Sequence, residues 1–180
     1  MLFSRYHPLP PRKLRIPPSL YKPLTPFRST PNINAHLYTE LPRLTTQKEP
    51  IRVAVLGQGR SGLDIHCRYF KTAPHKYQIV AVADLLEDRR QRAQSEMGCD
   101  AYDDYRDLLA RGDIDLVVNA LPSHLHPQAT IDSLNAGYHT ICEKPLAWSV
   151  AELDNMIAAA DKADRLLLPF QQSRNAHHFQ

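Results

Sequence analysis

The chain has 180 residues, of which 43% are hydrophobic, 23% are charged, 15 are proline and only 6 are glycine, with a formal net charge of +3. This length allows one ordinary domain with some excess and excludes a large multidomain machine. The charge is unevenly divided, because residues 1–50 carry +6 and ten of the prolines, whereas residues 51–180 carry −3 and every glycine. The basic character therefore lies outside the part expected to fold, and no nucleic-acid partner is predicted.

Residues 1–50 are predicted to form a disordered, basic, proline-rich extension, because the prolines interrupt the segment too often for a helix of useful length. A solvated tail is the favoured interpretation. An organelle transit peptide is the second, because residues 1–39 contain no acid and several Arg, Ser and Thr, although the prolines count against an amphipathic helix. A basic arm for nucleic acid or membrane is the third, but the segment has no dense basic cluster.

The three cysteines, Cys67, Cys99 and Cys142, are odd in number and far apart in the chain. This is typical of unpaired cysteines that pack as small apolar side chains in a protein of a reducing compartment. The longest apolar runs, such as Val53–Leu56, are much shorter than the ~20 residues that span a bilayer. No continuous apolar segment of a secretory signal is found near the first residue. We expect a cytoplasmic protein with no membrane partner, and import into an organelle through residues 1–50 is the alternative.

From residue 51 onward, apolar β-branched runs alternate with amphipathic segments of helical period. The alternation predicts an α/β fold with a parallel, doubly wound sheet in the dinucleotide-binding strand order 3-2-1-4-5-6. The predicted elements are, in chain order, strand Ile51–Leu56, helix Ser61–Lys71, strand Ile79–Ala83, helix Leu86–Met97, strand Asp100–Tyr102, helix Asp104–Ala110, strand Asp115–Ala120, helix Pro127–Ala136, strand His139–Cys142, helix Ser149–Ala163 and strand Arg165–Phe170.

The last predicted helix opens with a capping box, Ser149-Val150-Ala151-Glu152, in which serine and glutamate satisfy each other's backbone N–H groups. Its apolar residues Val150, Leu153, Ile157 and Ala160 share one face by their spacing. This face is predicted to pack into the core.

A glycine-rich turn joins the first predicted strand to the first helix and has the sequence Gly57-Gln58-Gly59-Arg60-Ser61-Gly62. A GxGxxG motif indicates a dinucleotide-binding site when it connects a strand to a helix in this way. The first glycine would allow the tight turn, the second would let the backbone approach a pyrophosphate, and the third would let the helix pack closely. The phosphates would then lie over the free N–H groups at the positive helix end. Gln58, Arg60 and Ser61 line the same turn, where Arg60 either contacts a phosphate or remains in solvent.

Asp84 ends the second predicted strand, 22 residues beyond Gly62, where an acid can accept hydrogen bonds from an adenine ribose. An acid at this position repels a 2′-phosphate, so NAD is favoured over NADP as the cofactor. Arg89 and Arg90 follow one helical turn later and are expected to face solvent. Two alternatives remain at this point: Asp84 is a helix N-cap, or the glycine turn belongs to an enzyme that uses S-adenosylmethionine.

The tripeptide Glu143-Lys144-Pro145 follows the fifth predicted strand, at the sheet edge where ligands of doubly wound folds are bound. The lysine is either a cation near substrate oxygen and cofactor or an ordinary surface charge. The following proline restricts it to extended geometry and permits a cis peptide bond. The spacing His124-x-His126 is compatible with a metal pair, but no set of Cys or carboxylate ligands accompanies it, so no metal is predicted. His66 is assigned no role.

Taken together, residues 51–170 closely resemble the N-terminal Rossmann domain of the Gfo/Idh/MocA oxidoreductase family. The most specific part of the resemblance is Ala136–Ala147, which contains Glu143-Lys144-Pro145. Around residue 121 the family usually has T-P-N-x-x-H, and this chain keeps Pro122 and His126. It has Leu121 and Ser123 in place of the family's threonine and asparagine, so the resemblance implies a cofactor contact at Ser123 through a hydroxyl instead of an amide.

The resemblance implies NAD(P)-dependent hydride transfer, commonly on sugars, inositols or related polyols. It implies that Lys144 is the active-site lysine beside the nicotinamide, where it orients the substrate hydroxyl or stabilises a developing alkoxide. Glu143 would position that lysine and the cofactor ribose. Pro122, Ser123 and His126 would lie beside the cofactor.

The family also has a second α/β domain that binds substrate, and this domain is expected to be absent from the chain. We therefore predict an NAD(P)-binding Rossmann domain over residues 51–171 and, over residues 172–180, the start of a linker to the missing C-terminal domain. Two functions are compatible with this organisation: the cofactor-binding half of an oxidoreductase, or a non-catalytic NAD(H)-binding module. A small sugar or polyol is the expected substrate, and a homo-oligomer is compatible with the sequence. Glu143-Lys144-Pro145 fits dehydrogenases and therefore disfavours a methyltransferase.

Overall fold

In the computed structural model, residues 49–175 are described, and most of the predicted N-terminal extension lies outside them. The described residues form six strands that pair only in parallel, and their order in the sheet is β3-β2-β1-β4-β5-β6. The strands are Ile51–Leu56 (β1), Tyr77–Ala83 (β2), Asp100–Tyr102 (β3), Leu116–Asn119 (β4), His139–Glu143 (β5) and Leu167–Phe170 (β6). The predicted doubly wound Rossmann sheet and its strand order are confirmed.

The helices follow the strands with the spacing that parallel crossovers require. A π-helical segment, Ser61–Cys67, runs directly into α1 (Arg68–Thr72), and a 3₁₀ turn, Ser123–Leu125, precedes α4. The other helices are α2 (Glu87–Met97), α3 (Tyr105–Leu109), α4 (His126–Asn135) and α5 (Val150–Ala163). The predicted capping box is confirmed, because the side chains of Ser149 and Glu152 each accept a hydrogen bond from the other residue's backbone N–H.

Alternate residues of the central strands enter two separate hydrophobic clusters, as expected for strands that are covered on both faces. Val53 and Val55 pack in one cluster with Leu63 and Phe70 of the first helical segment. Ala54 and Leu56 pack in the other with Leu108 of α3 and Ala129 of α4. The sheet is thus buried by helices on both sides, while the carboxyl ends of its strands stay accessible for a ligand.

The buried face of α5 differs from the predicted one. Val150 and Ile157, which were expected in the core, are 74% and 45% exposed. The helix instead buries Met156, Ala159 and Ala160, and the two alanines pack in a cluster with Leu134 of α4. The prediction was wrong for Val150 and Ile157 because the face that α5 buries is shifted by about one residue from the predicted face, which turns these two side chains outward.

Cys67, Cys99 and Cys142 are all free and buried. Burial raises the pKa of the Cys67 thiol to about 12 and the pKa of the Cys99 and Cys142 thiols to about 11. Since only the thiolate is a nucleophile, the folded protein is expected to react with a thiol reagent such as Ellman's reagent only after unfolding. Counting labelled thiols with and without guanidinium chloride tests this, and rapid labelling of any cysteine in the native protein would contradict it.

Candidate functional site

Two glycines of the turn after β1 are required by the protein's own packing. Gly57 has φ of +87°, and a Cβ atom on it would lie 2.5 Å from the carbonyl oxygen of Ala120. A Cβ atom on Gly62 would lie 1.8 Å from the carbonyl oxygen of Gly57. Both contacts are with backbone atoms, so no side-chain movement could relieve them. These two positions therefore need glycine whether or not a ligand is bound.

Gly59 differs from the other two glycines. A Cβ atom placed on it would meet only the Arg89 guanidinium, at 3.6 Å, within 4 Å. The protein's packing therefore does not require glycine here, and the missing side chain leaves room where Gly59 lines a cavity. This is the arrangement expected where a backbone must be approached closely by a phosphate group.

The helical segment that follows the turn begins without a side-chain cap. Arg60 occupies the N-cap position, and no described side chain forms a capping hydrogen bond there. The Arg60 side chain is exposed, and Arg60 and Ser61 both line the same cavity as Gly59. An uncapped helix start that faces a cavity presents N–H groups and positive partial charge, which suits an anionic ligand.

The carboxylate of Asp84, at the end of β2, fixes the glycine turn to the sheet. Its Oδ2 accepts a hydrogen bond of 2.7 Å from the backbone N–H of Gln58, and its Oδ1 accepts one of 2.9 Å from the N–H of Leu86. Leu86 is the N-cap residue of α2, so Asp84 is not the helix N-cap. Asp84 also lines the cavity, where the remaining lone pairs of its carboxylate can accept further hydrogen bonds.

The arginines of α2 were expected to face solvent, and this expectation was wrong. Arg89 Nη1 lies 3.3 Å from Asp84 Oδ2. Arg90 Nη1 donates to the carbonyl oxygens of Asp84 and Leu85, at 2.8 and 2.9 Å. The carboxylate and the carbonyls at the end of β2 attract the guanidinium groups, because the first turn of α2 lies directly beside them.

The cavity has a volume of about 680 Å³ and lies beyond the carboxyl ends of β1, β2 and β4. The strand order reverses between β1 and β4, so this is the position where doubly wound folds bind ligands. Its volume is within the range of cofactor sites. The predicted site residues that line it are Gly57, Gly59, Arg60, Ser61, Asp84 and Pro122.

The other predicted residues near the cavity are placed behind its wall or beside it. The side chain of Gln58 is fully buried, with Nε2 donating to the carbonyl oxygen of Gly57 at 3.3 Å. Ser123 begins the 3₁₀ turn whose next two residues line the cavity. His126 is buried, and its ring nitrogens lie 2.7 Å from the Pro145 carbonyl oxygen and 2.8 Å from that of Leu121. His126 thus joins the loop after β4 to the segment after β5.

Glu143 ends β5 and is buried, while Lys144 beside it is exposed. Glu143 Oε1 lies 3.0 Å from His66 Nε2, and its Oε2 accepts a hydrogen bond of 3.3 Å from the backbone N–H of Lys144. The Lys144–Pro145 peptide bond is cis. Neither Glu143 nor Lys144 is among the described residues that line the cavity, although β5 ends at the same edge of the sheet as β4.

His66, to which the sequence interpretation assigned no role, is the buried partner of Glu143. Its side chain is 4% exposed, and the ring of Phe170 packs against it edge-on at 4.5 Å. Burial lowers the pKa of the ring, while the hydrogen bond and the charge of Glu143 act in the opposite direction. The two partners are 77 residues apart in the chain, so only the fold brings them together.

Among the residues that the structure describes, no cluster of three or more His, Cys, Asp or Glu side chains is arranged to hold a metal ion. Over the same residues, no helix is long and apolar enough to cross a membrane.

Comparison with known proteins gives consistent results. The family model described as "Oxidoreductase family, NAD-binding Rossmann fold" matches residues 51–170. A myo-inositol 2-dehydrogenase of Thermotoga maritima is 32% identical over 118 residues, which cover 65% of this chain and 35% of that protein. An uncharacterized oxidoreductase of Schizosaccharomyces pombe is 34% identical over 130 residues, covering 69% of this chain and 34% of that protein.

Solved structures show the same likeness. The WlbA dehydrogenase of Chromobacterium violaceum, in complex with NADH and UDP-GlcNAcA, has a TM-score of 0.70 and 30% identity, covering 73% of this chain and 38% of its own. A variant of KijD10, a 3-ketoreductase from Actinomadura kijaniata in complex with TDP-benzene and NADP, has a TM-score of 0.63 and 30% identity, covering 67% and 37%.

The chain spans about a third of the length of the curated relatives it matches. The matched residues include the glycine turn, Asp84, the residues that line the cavity and the Glu143-Lys144-Pro145 segment. Sequence, fold and site thus agree, and the chain belongs to the Gfo/Idh/MocA family of NAD-binding Rossmann-fold oxidoreductases.

Proposed function

We propose that this chain is the cofactor-binding half of an NAD(P)-dependent oxidoreductase that transfers hydride to or from a sugar, inositol or related polyol. The observation that carries the proposal is the cavity at the strand-order reversal, lined by a glycine turn, an uncapped helix start and Asp84. The myo-inositol 2-dehydrogenase and the UDP-sugar complex among the relatives support the substrate class. A cytoplasmic location and a homo-oligomeric state stay predictions from the sequence.

The residues present fit a dinucleotide. The open space at Gly59 lets a pyrophosphate approach the backbone, and Arg60 and Ser61, at the start of the helical segment, line the same cavity. After its contacts with the Gln58 N–H, the Leu86 N–H and Arg89, the Asp84 carboxylate keeps about one accepting position for a ribose hydroxyl group. The Arg60 side chain adds a positive charge at the rim for the phosphates.

The chemistry at the other end of the cofactor would depend on Lys144 and Glu143. When bound, the nicotinamide would supply or accept the hydride. The Lys144 ammonium group would donate a hydrogen bond to the substrate oxygen and stabilise negative charge that develops on it. Glu143, held by His66 and by the Lys144 N–H, would fix the backbone from which the lysine side chain extends.

Titration of the chain with NADH, followed by fluorescence or calorimetry, is expected to show saturable binding. Asp84→Asn is expected to weaken NADH binding about tenfold, because a hydrogen bond to a charged acceptor is lost. Asp64→Asn is the matched control, since Asp64 is an exposed acid paired with Arg68 outside the cavity, and it should bind like the wild type. Absence of saturable binding of both NADH and NADPH to the wild type would refute the proposed function.

The catalytic part of the proposal is tested separately from binding. Lys144→Ala is expected to keep NADH binding while abolishing any reduction of NAD⁺ by inositols or sugars that the wild-type protein shows. The measurement is made with the chain supplemented by the substrate domain of a relative such as the myo-inositol 2-dehydrogenase, and NADH binding without turnover in that mixture supports the non-catalytic NAD(H)-binding module instead.

A further inference from the structure

Arg92, in the middle of α2, contacts the backbone of the glycine turn without lining the cavity. Its Nη2 donates a hydrogen bond of 3.0 Å to the carbonyl oxygen of Gln58, 34 residues earlier in the chain. The next residue of the turn, Gly59, does line the cavity. Arg92 therefore reaches the turn from outside the cavity, at the residue that precedes the open position.

The Gln58 carbonyl group and the Gly59 N–H group belong to the same trans peptide unit. The two groups of such a unit point in opposite directions, so the Gly59 N–H points away from the arginine. Among the hydrogen bonds of residues 49–175, none has this N–H as its donor. A cation bonded to the carbonyl oxygen polarises the peptide and strengthens its N–H as a donor. Arg92 thus prepares a free N–H of the turn for an acceptor from outside the protein.

The charge of Arg92 is not compensated within the part of the chain that the structure describes. Arg52, Arg68 and Arg89 each pair with a carboxylate there, whereas Arg92 forms no ion pair with any described residue. Its Nε is buried and has no hydrogen-bond partner among the same residues. Burying part of a guanidinium without a counter-charge costs free energy, so these two features indicate an anionic partner that binds from outside.

The neighbouring charges on the turn are already paired with each other. Asp84 accepts the Gln58 N–H at 2.7 Å and lies 3.3 Å from the Arg89 guanidinium, so its negative charge is offset by Arg89. Gln58 is therefore bonded to a carboxylate at its N–H and to a guanidinium at its carbonyl oxygen. These two contacts fix the orientation of the backbone before Gly59, and the charge of Arg92 remains available to a ligand.

We propose that Arg92 is a positioning residue for the pyrophosphate of the cofactor and acts through the Gln58–Gly59 peptide. It holds this peptide so that the Gly59 N–H is free to donate to a phosphate oxygen. The negative charge of the pyrophosphate, on the other side of the peptide, compensates the guanidinium. The inference rests on the proposed function, because it adds a residue of α2 to the proposed cofactor site.

The test compares the binding of NADH and of ADP-ribose, which has the pyrophosphate but no nicotinamide, to the full chain and to three variants. Arg92→Met should weaken the binding of both ligands about tenfold, because the charge that supports the pyrophosphate is lost. Arg92→Lys keeps a positive charge and a donor and should bind both ligands within about threefold of wild type. Arg68→Met is the matched control, because it removes an exposed arginine paired with Asp64 and should bind like the wild type.

The stability of the ligand-free protein distinguishes this role from a merely structural one. Arg92→Met removes an uncompensated charge together with one hydrogen bond, and these two effects oppose each other. The urea midpoint of the free variant should therefore differ from that of the wild type by less than about 0.5 M. A larger fall of the midpoint would show that Arg92 serves to hold the fold together and would overturn the inference.

The binding results separate the inference from the proposed function. Equal NADH affinities of wild type and Arg92→Met would overturn the inference and leave the proposed function standing. A loss of NADH affinity without a loss of ADP-ribose affinity would also overturn it, because the effect would then lie at the nicotinamide end. Arg92→Lys as weak as Arg92→Met would show that the positive charge is not what matters. If wild type binds neither NADH nor NADPH, the proposed function itself fails and the inference fails with it.

Discussion

Replacing Gly62 with alanine is expected to destabilise the domain by about 3 kcal/mol, a large share of the stability of an ordinary domain. The added Cβ would lie 1.8 Å from the Gly57 carbonyl oxygen and 2.9 Å from its carbonyl carbon, so the glycine turn and the helical segment would have to separate. The displaced segment also carries Leu63, Cys67 and Phe70 into the core. Urea unfolding followed by circular dichroism measures the loss.

The other glycines supply matched controls for this substitution. Gly112→Ala should leave stability unchanged within about 0.5 kcal/mol, because no atom lies within 4 Å of the added Cβ. Gly59→Ala should also fold normally, since its Cβ would meet only the Arg89 guanidinium at 3.6 Å. Its NADH affinity, however, should fall by about tenfold or more, because the methyl group occupies the space left for the pyrophosphate. A Gly62→Ala protein as stable as wild type would contradict the packing argument.

Much of the fold could be predicted because each local signal has a direct physical cause. The run Val53–Leu56 is apolar on both faces, and such a strand is stable only when helices cover both sides. The Ser149–Glu152 capping box fixes the start of α5 through its own hydrogen bonds. The glycine turn was predicted from its motif between a buried strand and a helix, and the close contact between Gly62 and Gly57 is local in the chain.

The parts that could not be predicted depend on contacts between distant segments. The outward position of Val150 and Ile157 is decided by which face of α5 meets α4, and apolar spacing alone does not distinguish neighbouring faces. The pairing of Arg89 with Asp84 joins residues only five positions apart, but it depends on the direction in which α2 leaves the end of β2, which apolar spacing does not show. His66 gave no signal at all, because a lone histidine in a helical pattern fits a core position as well as a site.

The buried pair of His66 and Glu143 is expected to show strong coupling in a double-mutant cycle. His66→Phe keeps the aromatic packing against Phe170 but leaves the buried Glu143 carboxylate without its imidazole donor, which should cost about 3 kcal/mol of unfolding free energy. Glu143→Leu leaves the His66 N–H without an acceptor and should cost about 2 kcal/mol.

The double variant His66→Phe/Glu143→Leu should be more stable than His66→Phe alone, because two apolar side chains then replace a matched polar pair. Urea unfolding of all four proteins gives the coupling energy. If the two single effects simply add in the double variant, the pair is not coupled and this argument is wrong. The exposed pair of Asp64 and Arg68 is the control, since a surface pair should couple by less than about 1 kcal/mol.

The pH dependence of stability gives a second, independent measure of His66. Its pKa in the folded protein is below the ordinary value of 6.5, mainly because of burial, so below that pH the unfolded chain binds a proton that the folded protein does not. Above about pH 6.5, protonation of His66 therefore does not change the free energy of unfolding. As the pH falls below about 6.5, this free energy decreases by at most about 1.4 kcal/mol per pH unit.

Asp113 and Asp115 do not interfere with this measurement. Hydrogen bonds from Arg111 and Arg52 lower their pKa values below 3.8, so the stability that they contribute is lost only at still lower pH. Urea unfolding at pH 7.5, 6.5 and 5.5 should therefore show a fall in stability for wild type and a smaller fall for His66→Phe, which has no imidazole to protonate. Identical falls in both proteins would show that another group takes up the proton, and that the buried His66 is not the origin of the acid sensitivity.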